Sequence, residues 1–139
     1  PVHCVQDTEG AAFHPTLDVH ATDIIISKGM GQTDGYSGTE GVSGDGQTLE
    51  TIIEPKGNES VKVIIGGLAT DYCDLRTALG IKDIFRSRHA VDVYAVTDAM
   101  RAVNAEGGIN AIREMANAGI HIINLNQAFT LIDEKRLER

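Results

Sequence analysis

Four stretches of the chain have the apolar, β-branched character of buried strands. The clearest is residues 61–67, VKVIIGG, in which only Lys62 is charged. The stretch TDIIISKG, residues 22–29, also predicts a buried strand, and it ends in a lysine and a glycine. Residues 91–99 and 120–125 have the same character and predict two further strands.

Apolar residues at helical spacing predict helices between and after these strands. A helix is expected over residues 71–86, with Asp71 or the preceding threonine as its N-cap and with Gly80 ending or interrupting it. A second helix is expected over residues 106–119, and Gly119 is its predicted stop. The residues expected to point inward are Leu75, Ala78, Leu79 and Phe85 in the first helix, and Ile109, Ile112 and either Met115 or Ala116 in the second.

The remaining segments are predicted from their turn residues and composition. Residues 29–46 hold seven glycines in eighteen positions, which predicts a long loop of the kind that is often functional. Residues 47–57 predict a short helix closed by Pro55 and a glycine. Residues 1–21 have no sustained period and predict an ordered loop, and a helix is expected at the end of the chain.

The alternation of strands and helices predicts an α/β fold with a parallel sheet. In such sheets, ligands bind beyond the carboxyl ends of the strands. Lys28 ends one predicted strand, and Cys73 lies just past the end of another. We therefore expect these two reactive side chains to lie at the same edge of the sheet.

Composition limits the function classes. The chain has 139 residues, of which 42% are hydrophobic and 23% charged, as is typical of one globular domain. Its formal net charge of −8 and lack of a basic run argue against nucleic acid and anionic membranes as partners. No apolar run approaches a membrane span, and no signal peptide is visible. Two widely spaced cysteines favour a reducing, cytoplasmic setting.

Cys73 is the candidate nucleophile. Only the thiolate attacks, and both the first turn of a helix and a nearby Lys28 would favour the negative form. The alternative is a small core residue that packs the helix onto the sheet, and the residues alone leave the two interpretations about even. The neighbouring Gly66, Gly67 and Ala69 could likewise turn backbone N–H groups toward an oxyanion, or simply permit close packing.

No complete metal or nucleotide motif is present. The chain has neither HExxH nor CxxC, and its five histidines, His89 among them, are by default packed or surface residues. The glycine loop lacks GxxxxGK[ST] and the third glycine of the dinucleotide fingerprint, so nucleotide binding is rejected. Tyr36 in GYSG could form a mobile lip over a pocket, although an exposed loop tip is the more common role.

Three stretches in series resemble the nicotinamidases, which are isochorismatase-like cysteine hydrolases. They are HCVQDTEGAAFHP at residues 3–15, SKGMGQTDGYSG at residues 27–38 and GLATDYC at residues 67–73. The resemblance runs from residue 1 to about residue 99 and continues weakly to the end. It implies a three-layer α/β/α, Rossmann-like fold with a mostly parallel sheet. It also implies an enzyme that hydrolyses nicotinamide to nicotinate and ammonia.

The resemblance also assigns roles to single residues. Cys73 matches the nucleophile of an Asp–Lys–Cys triad, and Lys28 matches the lysine. The backbone N–H groups of Ala69 and Cys73 match the oxyanion hole, after a cis peptide bond between Leu68 and Ala69. The resemblance places Tyr36, Leu68 and Cys4 at the substrate pocket. It also implies that His3 is a metal ligand.

Parts of the family's site have no match in residues 1–139. The triad aspartate, the Asp-x-His metal motif and a tryptophan of the family lie upstream of the position that Pro1 matches, and this chain has no tryptophan. The metal would be zinc, iron or manganese, and most of its ligands would lie upstream of Pro1. We therefore expect residues 1–139 to form the C-terminal major part of one hydrolase domain. A separate, cleaved or disordered N-terminal segment would complete that domain, and without it the chain should be inactive.

Other interpretations remain open at this stage. The protein could hydrolyse a different small amide, or it could be an inactive binding or assembly module that keeps the fold. The presence of both Lys28 and Cys73 argues against the inactive module. A redox pair of Cys73 with Cys4 is a more remote interpretation. The resemblance also suggests a homo-oligomer.

Overall fold

In the part of the chain that the structure describes, the main sheet has three parallel strands. The computed structural model describes residues 2–31, 35–88 and 90–137, with side chains of the last helix described to residue 134. The order of the main sheet is β3–β4–β5, and a separate antiparallel pair is formed by β1 and β2. The strands are β1 (Ile26–Ser27), β2 (Val42–Ser43), β3 (Val61–Leu68), β4 (Val91–Arg101) and β5 (His121–Ile123).

Four α-helices and three shorter helical turns connect and cover these strands. The α-helices are α1 (Leu49–Ile53), α2 (Leu75–Ile84), α3 (Ala105–Asn117) and α4 (Leu125–Leu137). The shorter turns are 3-10 helices at Glu9–Ala11 and Gly38–Glu40 and a π-helical turn at Thr70–Asp74. None of the described helices is long and apolar enough to cross a membrane.

The hydrophobic core lies on one face of the main sheet. Val61 pairs with Val91 and Val63 with Val93, and side chains at alternate positions point to this same face. Val93 is completely buried there. The helices contribute their apolar faces to the same cluster, through Leu75, Ala78, Ile81, Ala111 and Met115. Burial of this apolar surface is the main force that holds the helices on the sheet.

The opposite face of the sheet carries α4. Lys62 alternates with the core-facing valines of β3, and its ammonium lies 4.0 Å from the Glu134 carboxylate of α4. On the same face, the rings of Tyr94 and His121 stack with their centroids 4.7 Å apart. Helices therefore lie on both faces, which confirms the expected three-layer α/β/α arrangement with a parallel sheet.

The predicted strand at residues 22–29 is the main error in the sequence interpretation. Only β1 is a strand there, and it pairs with β2 rather than with the main sheet. Ile24 and Ile25 are 50% and 48% exposed, so this stretch is not buried in the described part of the chain. The predicted strand is thus reduced to two residues, and Ile24 and Ile25 lie outside it.

Two helical details also differ from the prediction. Gly80 lies inside α2 and neither ends nor interrupts it; a Cβ at this position would meet the Thr39 hydroxyl at 2.8 Å. The glycine therefore allows the Gly38–Glu40 turn to approach the helix. In α3 the buried residues are Gly108, Ala111 and Met115, while Ile109 is 60% exposed. Small residues let α3 approach the sheet closely, and this rotates Ile109 outward.

The two segments predicted as loops differ in how much regular structure they contain. The glycine-rich stretch 29–46, of which residues 32–34 lie outside the described residues, contains the Gly38–Glu40 turn and β2. The amino-terminal segment is exposed from residue 2 to residue 25. Local hydrogen bonds occur along it, such as the one that the backbone N–H of His20 donates to Asp23 at 2.9 Å. Gly119, with φ of +79°, ends α3 as predicted.

Candidate active site

Cys73 lies in the turn that joins β3 to α2. The peptide bond between Leu68 and Ala69 is cis, as expected from the resemblance. The π-helical turn then begins, and the Ala69 carbonyl accepts the N–H groups of Tyr72 and Asp74 at 3.0 and 3.1 Å. Thr70 and Asp74 point inward and are buried, whereas Cys73 is a partly exposed free thiol. Short π-helical segments are often found at functional sites.

Lys28 is in direct contact with this thiol. Its ammonium lies 3.1 Å from the Cys73 sulfur and donates a second hydrogen bond, of 3.0 Å, to the carbonyl of Gly35. The contact joins residues 45 positions apart, although Lys28 follows β1 rather than a strand of the main sheet. The contact therefore places a cation at a sulfur that could act as a nucleophile.

Tyr36 is carried by a loop that is fixed to α2. The Thr77 hydroxyl accepts the N–H of Gly38 at 2.8 Å, and the Ser37 hydroxyl donates to the Arg76 carbonyl at 3.2 Å. The Tyr36 ring lies 5.7 Å, between centroids, from the ring of Tyr72, the residue before the cysteine. The loop therefore places an aromatic side chain beside the cysteine turn, as the interpretation of a pocket lip requires.

A shallow cavity of about 380 Å³ opens next to these two tyrosines. Its lining includes Glu40, Asp71 and Arg76 but not Lys28 or Cys73. Leu68, an expected pocket residue, is 73% exposed and does not line this cavity. The cavity thus lies beside the Lys28–Cys73 contact and does not enclose it.

Asp71 fastens the cysteine turn to the start of α3. Its carboxylate accepts the backbone N–H groups of Val103 and Asn104 at 2.9 and 3.2 Å. Burial raises the pKa of this carboxyl, but the two backbone hydrogen bonds outweigh that effect and lower the pKa below its ordinary value. The prediction of Asp71 as the N-cap of its own helix was therefore wrong, because these donors belong to another loop.

Asp74 is a titratable group that the sequence interpretation missed. Its residue is only 6% exposed, and one carboxyl oxygen has no hydrogen-bond partner among the described residues. Burial raises its pKa to about 6, the charge of Asp71 adds to this rise, and the charge of Lys28 opposes it. The spacing of the sequence could have indicated its burial, because Thr70, Asp74 and Ala78 are four residues apart and all three are buried.

The amino-terminal site candidates lie on an exposed segment. His3 and Cys4 are both exposed, and Cys4 is a free thiol with φ of +48°. Within the described residues, which exclude His89, no group of three or more His, Cys, Asp or Glu side chains could hold a metal ion. The residues present therefore do not form a metal site by themselves, and the role predicted for His3 stays a prediction.

Comparison with known proteins assigns the family. The model of the isochorismatase domain matches residues 1–127. The chain belongs to the isochorismatase family. Its relatives include the nicotinamidase/pyrazinamidase of Mycobacterium tuberculosis, which is 37% identical over 123 residues. That alignment covers 88% of this chain and 62% of the relative.

Solved structures of this family superpose on the chain. The pyrazinamidase of Pyrococcus horikoshii, in complex with zinc, is 34% identical with a TM-score of 0.71, over 90% of this chain and 63% of that one. PnC1 from L. infantum, in complex with nicotinate, is 27% identical with the same TM-score, over 89% of this chain and 60% of that one. This isochorismatase-family chain thus spans about three-fifths of the length of these relatives.

Proposed function

We propose that the protein is a nicotinamidase, in which Cys73 is the nucleophile and Lys28 the cation that activates it. The observation that carries this proposal is the 3.1 Å contact between the Lys28 ammonium and the Cys73 sulfur at the cis-peptide turn. The contact is formed by residues far apart in sequence, each placed by a different element. A cysteine that served only to pack α2 onto the sheet would not need a charged partner.

The names of the relatives support the choice of substrate. The Mycobacterium tuberculosis relative is a nicotinamidase/pyrazinamidase, and the L. infantum structure contains nicotinate. The first relative is named for the proposed substrate, nicotinamide, and the second holds the proposed product, nicotinate. Each aligns with nearly nine-tenths of this chain. Two relatives also carry the name pyrazinamidase, so pyrazinamide is the alternative amide to test.

The proposed chemistry proceeds through a thioester. The Cys73 thiol gives its proton to the triad aspartate proposed to lie outside residues 1–139, and the thiolate attacks the carboxamide carbon. The same proton passes to the nitrogen as the C–N bond breaks, and ammonia leaves. Water then attacks the thioester carbonyl, the C–S bond breaks, and nicotinate is released with the thiol restored. Lys28 contributes a positive charge at the sulfur throughout.

Further residues of the chain are proposed to hold the substrate. The backbone N–H groups of Ala69 and Cys73 would stabilise the oxyanion of each tetrahedral intermediate, because both lie in the turn that carries the sulfur. Tyr36 would contact the pyridine ring from its fixed loop, with Leu68 and Cys4 at the edge of the pocket. The proximity of Tyr36 to Tyr72 supports the first of these assignments.

A metal and a further segment of the same protein complete the proposal. The Pyrococcus horikoshii relative is in complex with zinc. We propose that His3 contributes to a divalent metal site whose other ligands, like the triad aspartate, come from outside residues 1–139. The greater length of the relatives supports a contribution from outside this stretch. No step of the chemistry above is assigned to the metal.

The test starts with the protein purified from its own source. Its intact mass under denaturing conditions reveals whether a companion peptide accompanies a 14.9 kDa species or whether the chain is longer. Ammonia release from nicotinamide is then measured, with pyrazinamide and benzamide as alternative substrates. We expect Cys73→Ala to lower nicotinamide turnover at least about a thousandfold. Rapid acid quench should trap a nicotinoyl group on the tryptic peptide that contains Cys73.

Each outcome decides a separate part of the proposal. Full turnover by Cys73→Ala, or a nicotinoyl group on Cys4, would overturn the assignment of the nucleophile. Preference for another amide would replace nicotinamide but keep the cysteine chemistry. Turnover by a single 14.9 kDa species would overturn the proposal that other groups lie outside this stretch. Complete absence of amide turnover in the purified protein would favour the inactive binding module.

Three further expectations accompany this function: a metabolic role, a cellular setting and an oligomeric state. We propose a role in pyridine nucleotide salvage, because the product is the acid that such a reaction sequence would consume. A cytoplasmic setting is supported by the free state of both Cys4 and Cys73. A homo-oligomer stays a prediction, which the molar mass from light scattering tests.

A further inference from the structure

The turn that carries Cys73 is attached to two other parts of the chain by side chains two positions apart. Lys28 donates a hydrogen bond to the Cys73 sulfur at 3.1 Å. The Asp71 carboxylate accepts the backbone N–H groups of Val103 and Asn104, at 2.9 Å by one oxygen and at 3.2 Å by the other. Each carboxylate oxygen therefore has its own donor, and both donors belong to the connection between β4 and α3.

The residues on either side of Cys73 are fixed to a single carbonyl group within the turn. The N–H groups of Tyr72 and Asp74 both donate to the Ala69 carbonyl, at 3.0 and 3.1 Å. Asp71 lies in the same π-helical turn, so its carboxylate and the sulfur belong to one hydrogen-bonded unit. A displacement of Asp71 would therefore move the sulfur, and hydrogen bonds to an ionised carboxylate are strong enough to resist that displacement.

The space that the Asp71 carboxylate occupies is left open by a glycine. Gly107 is the third residue of α3, and a Cβ there would lie 2.8 Å from the carboxylate oxygen that accepts the N–H of Asn104. The next nearest atom, the side-chain oxygen of Asn104 at 3.2 Å, is less crowded. A methyl group at this position would therefore push the carboxylate away from its donors. Glycine also weakens a helix relative to alanine, so helix propensity does not explain its presence here.

We propose that Asp71 is a positioning residue for the Cys73 nucleophile, and that Gly107 is required for Asp71 to occupy its place. The proposal rests on the proposed function, in which Cys73 attacks the amide. The contact of Asp71 with the two N–H groups keeps the turn where the sulfur meets the Lys28 ammonium. Since a misplacement of about 1 Å can cost an enzyme about a hundredfold in rate, such a contact would affect activity without touching the substrate.

The test is the rate of Cys73 alkylation by iodoacetamide at pH 7, followed by mass spectrometry of peptides. Trypsin separates the two cysteines, because Lys56 and Lys62 lie between them. In Asp71→Ala we expect alkylation to slow by about threefold or more, up to the loss expected for Lys28→Met, because the sulfur leaves the lysine charge. Asp71→Asn should be intermediate, because its amide oxygen replaces one of the two acceptors. An unchanged or faster rate in Asp71→Ala would overturn the proposal.

A double-variant cycle tests whether Asp71 acts through the lysine contact. In the Lys28→Met background, Asp71→Ala should change the alkylation rate of Cys73 by less than about 1.5-fold, because the contact that it positions is already absent. General damage to the turn would instead slow alkylation by the same factor in both backgrounds. Equal factors would therefore overturn the proposal.

Gly107→Ala perturbs the same contact from the other side and covers the case in which Asp71→Ala does not fold. Helix propensity favours alanine at this position, but its methyl group should displace the Asp71 carboxylate and slow alkylation of Cys73. In the Asp71→Ala background the same change should have no further effect, because the carboxylate that it displaces is gone. An unchanged rate in the single variant Gly107→Ala would overturn the proposal.

Two controls separate positioning from a general loss of stability. Asn124→Ala removes a carboxamide that caps α4, on the opposite face of the sheet, where it accepts the N–H of Gln127 at 2.9 Å. This variant should unfold at lower urea concentration without slower alkylation of Cys73. Exposed Cys4 should keep its rate in every variant. A loss in either control equal to that of Asp71→Ala would contradict the proposal.

The alkylation result and the proposed function can fail separately. Alkylation of Cys73 needs no amide turnover, so the rates decide the role of Asp71 even in a protein that does not hydrolyse nicotinamide. Slower alkylation in Asp71→Ala without any turnover in the unmodified protein would keep the positioning of the thiol and reject the nicotinamidase. Normal turnover with unchanged alkylation in Asp71→Ala would keep the nicotinamidase and reject the positioning role.

Discussion

Replacement of Asp74 by asparagine should stabilise the protein, and the gain should appear only as the pH rises. The carboxyl is 6% exposed, and its pKa in the folded protein is about 6, against about 3.9 in an unfolded chain. The folded state therefore binds the proton more tightly than the unfolded state. Stability from this group is complete below the unfolded value and is lost as the pH rises through the folded value.

The size of the loss follows from the difference between the two pKa values. About two units correspond to at most about 3 kcal/mol, which is reached near pH 8 and is roughly halved near pH 5. Since small domains are stable by only about 5–15 kcal/mol, this is a measurable share. Asparagine has nearly the same shape and carries no charge, so it removes the penalty without leaving a large cavity.

Urea unfolding at several pH values measures this effect. The free energy of unfolding of Asp74→Asn, minus that of the unmodified chain, should rise from about zero at pH 3 toward about 3 kcal/mol at pH 8. Asp83→Asn is the matched control, because it removes an exposed carboxylate from the same helix. A difference that is constant with pH, or that falls as the pH rises, would refute the reasoning.

Three further predictions follow from single contacts. Lys28→Met should slow alkylation of Cys73 at neutral pH by about tenfold, measured by peptide mass spectrometry, because the charge 3.1 Å from the sulfur is lost. Gly80→Ala should destabilise the chain by roughly 1–3 kcal/mol in urea unfolding, because a methyl group would meet the Thr39 hydroxyl at 2.8 Å. Asp71→Asn should destabilise the chain in urea unfolding at pH 7, and by less near pH 3, because a carboxyl whose pKa is lowered by folding stabilises only while it is ionised.

Matched variants distinguish these effects from general damage. Lys28→Arg keeps the charge and should retain most of the Cys73 reactivity, so equal losses in both variants would argue against a charge effect. Gly44→Ala adds a methyl group where no atom lies within 4 Å and should cost much less than Gly80→Ala. For Asp71, an equal loss of stability at both pH values would exclude its ionisation as the cause.

The sequence pattern predicted the central elements well because their periods are unambiguous. β3 is rich in β-branched residues, β4 has buried valines at alternate positions, and α2 has apolar residues at helical spacing, so burial and propensity favour the same structure. The stretch 22–29 has the same apolar character as β3, yet Ile24 and Ile25 are exposed. Local pattern predicts extended backbone but cannot say which element covers it.

The candidate site was predictable where it depends on residue type and not where it depends on packing. Lys28 and Cys73 could be paired in advance because both follow predicted strands and both carry reactive groups. Asp71 was assigned to its own helix, because the pattern gives no sign that the Val103 loop offers two N–H donors. Asp74 was passed over because a carboxyl beside a cysteine is normally expected on the surface.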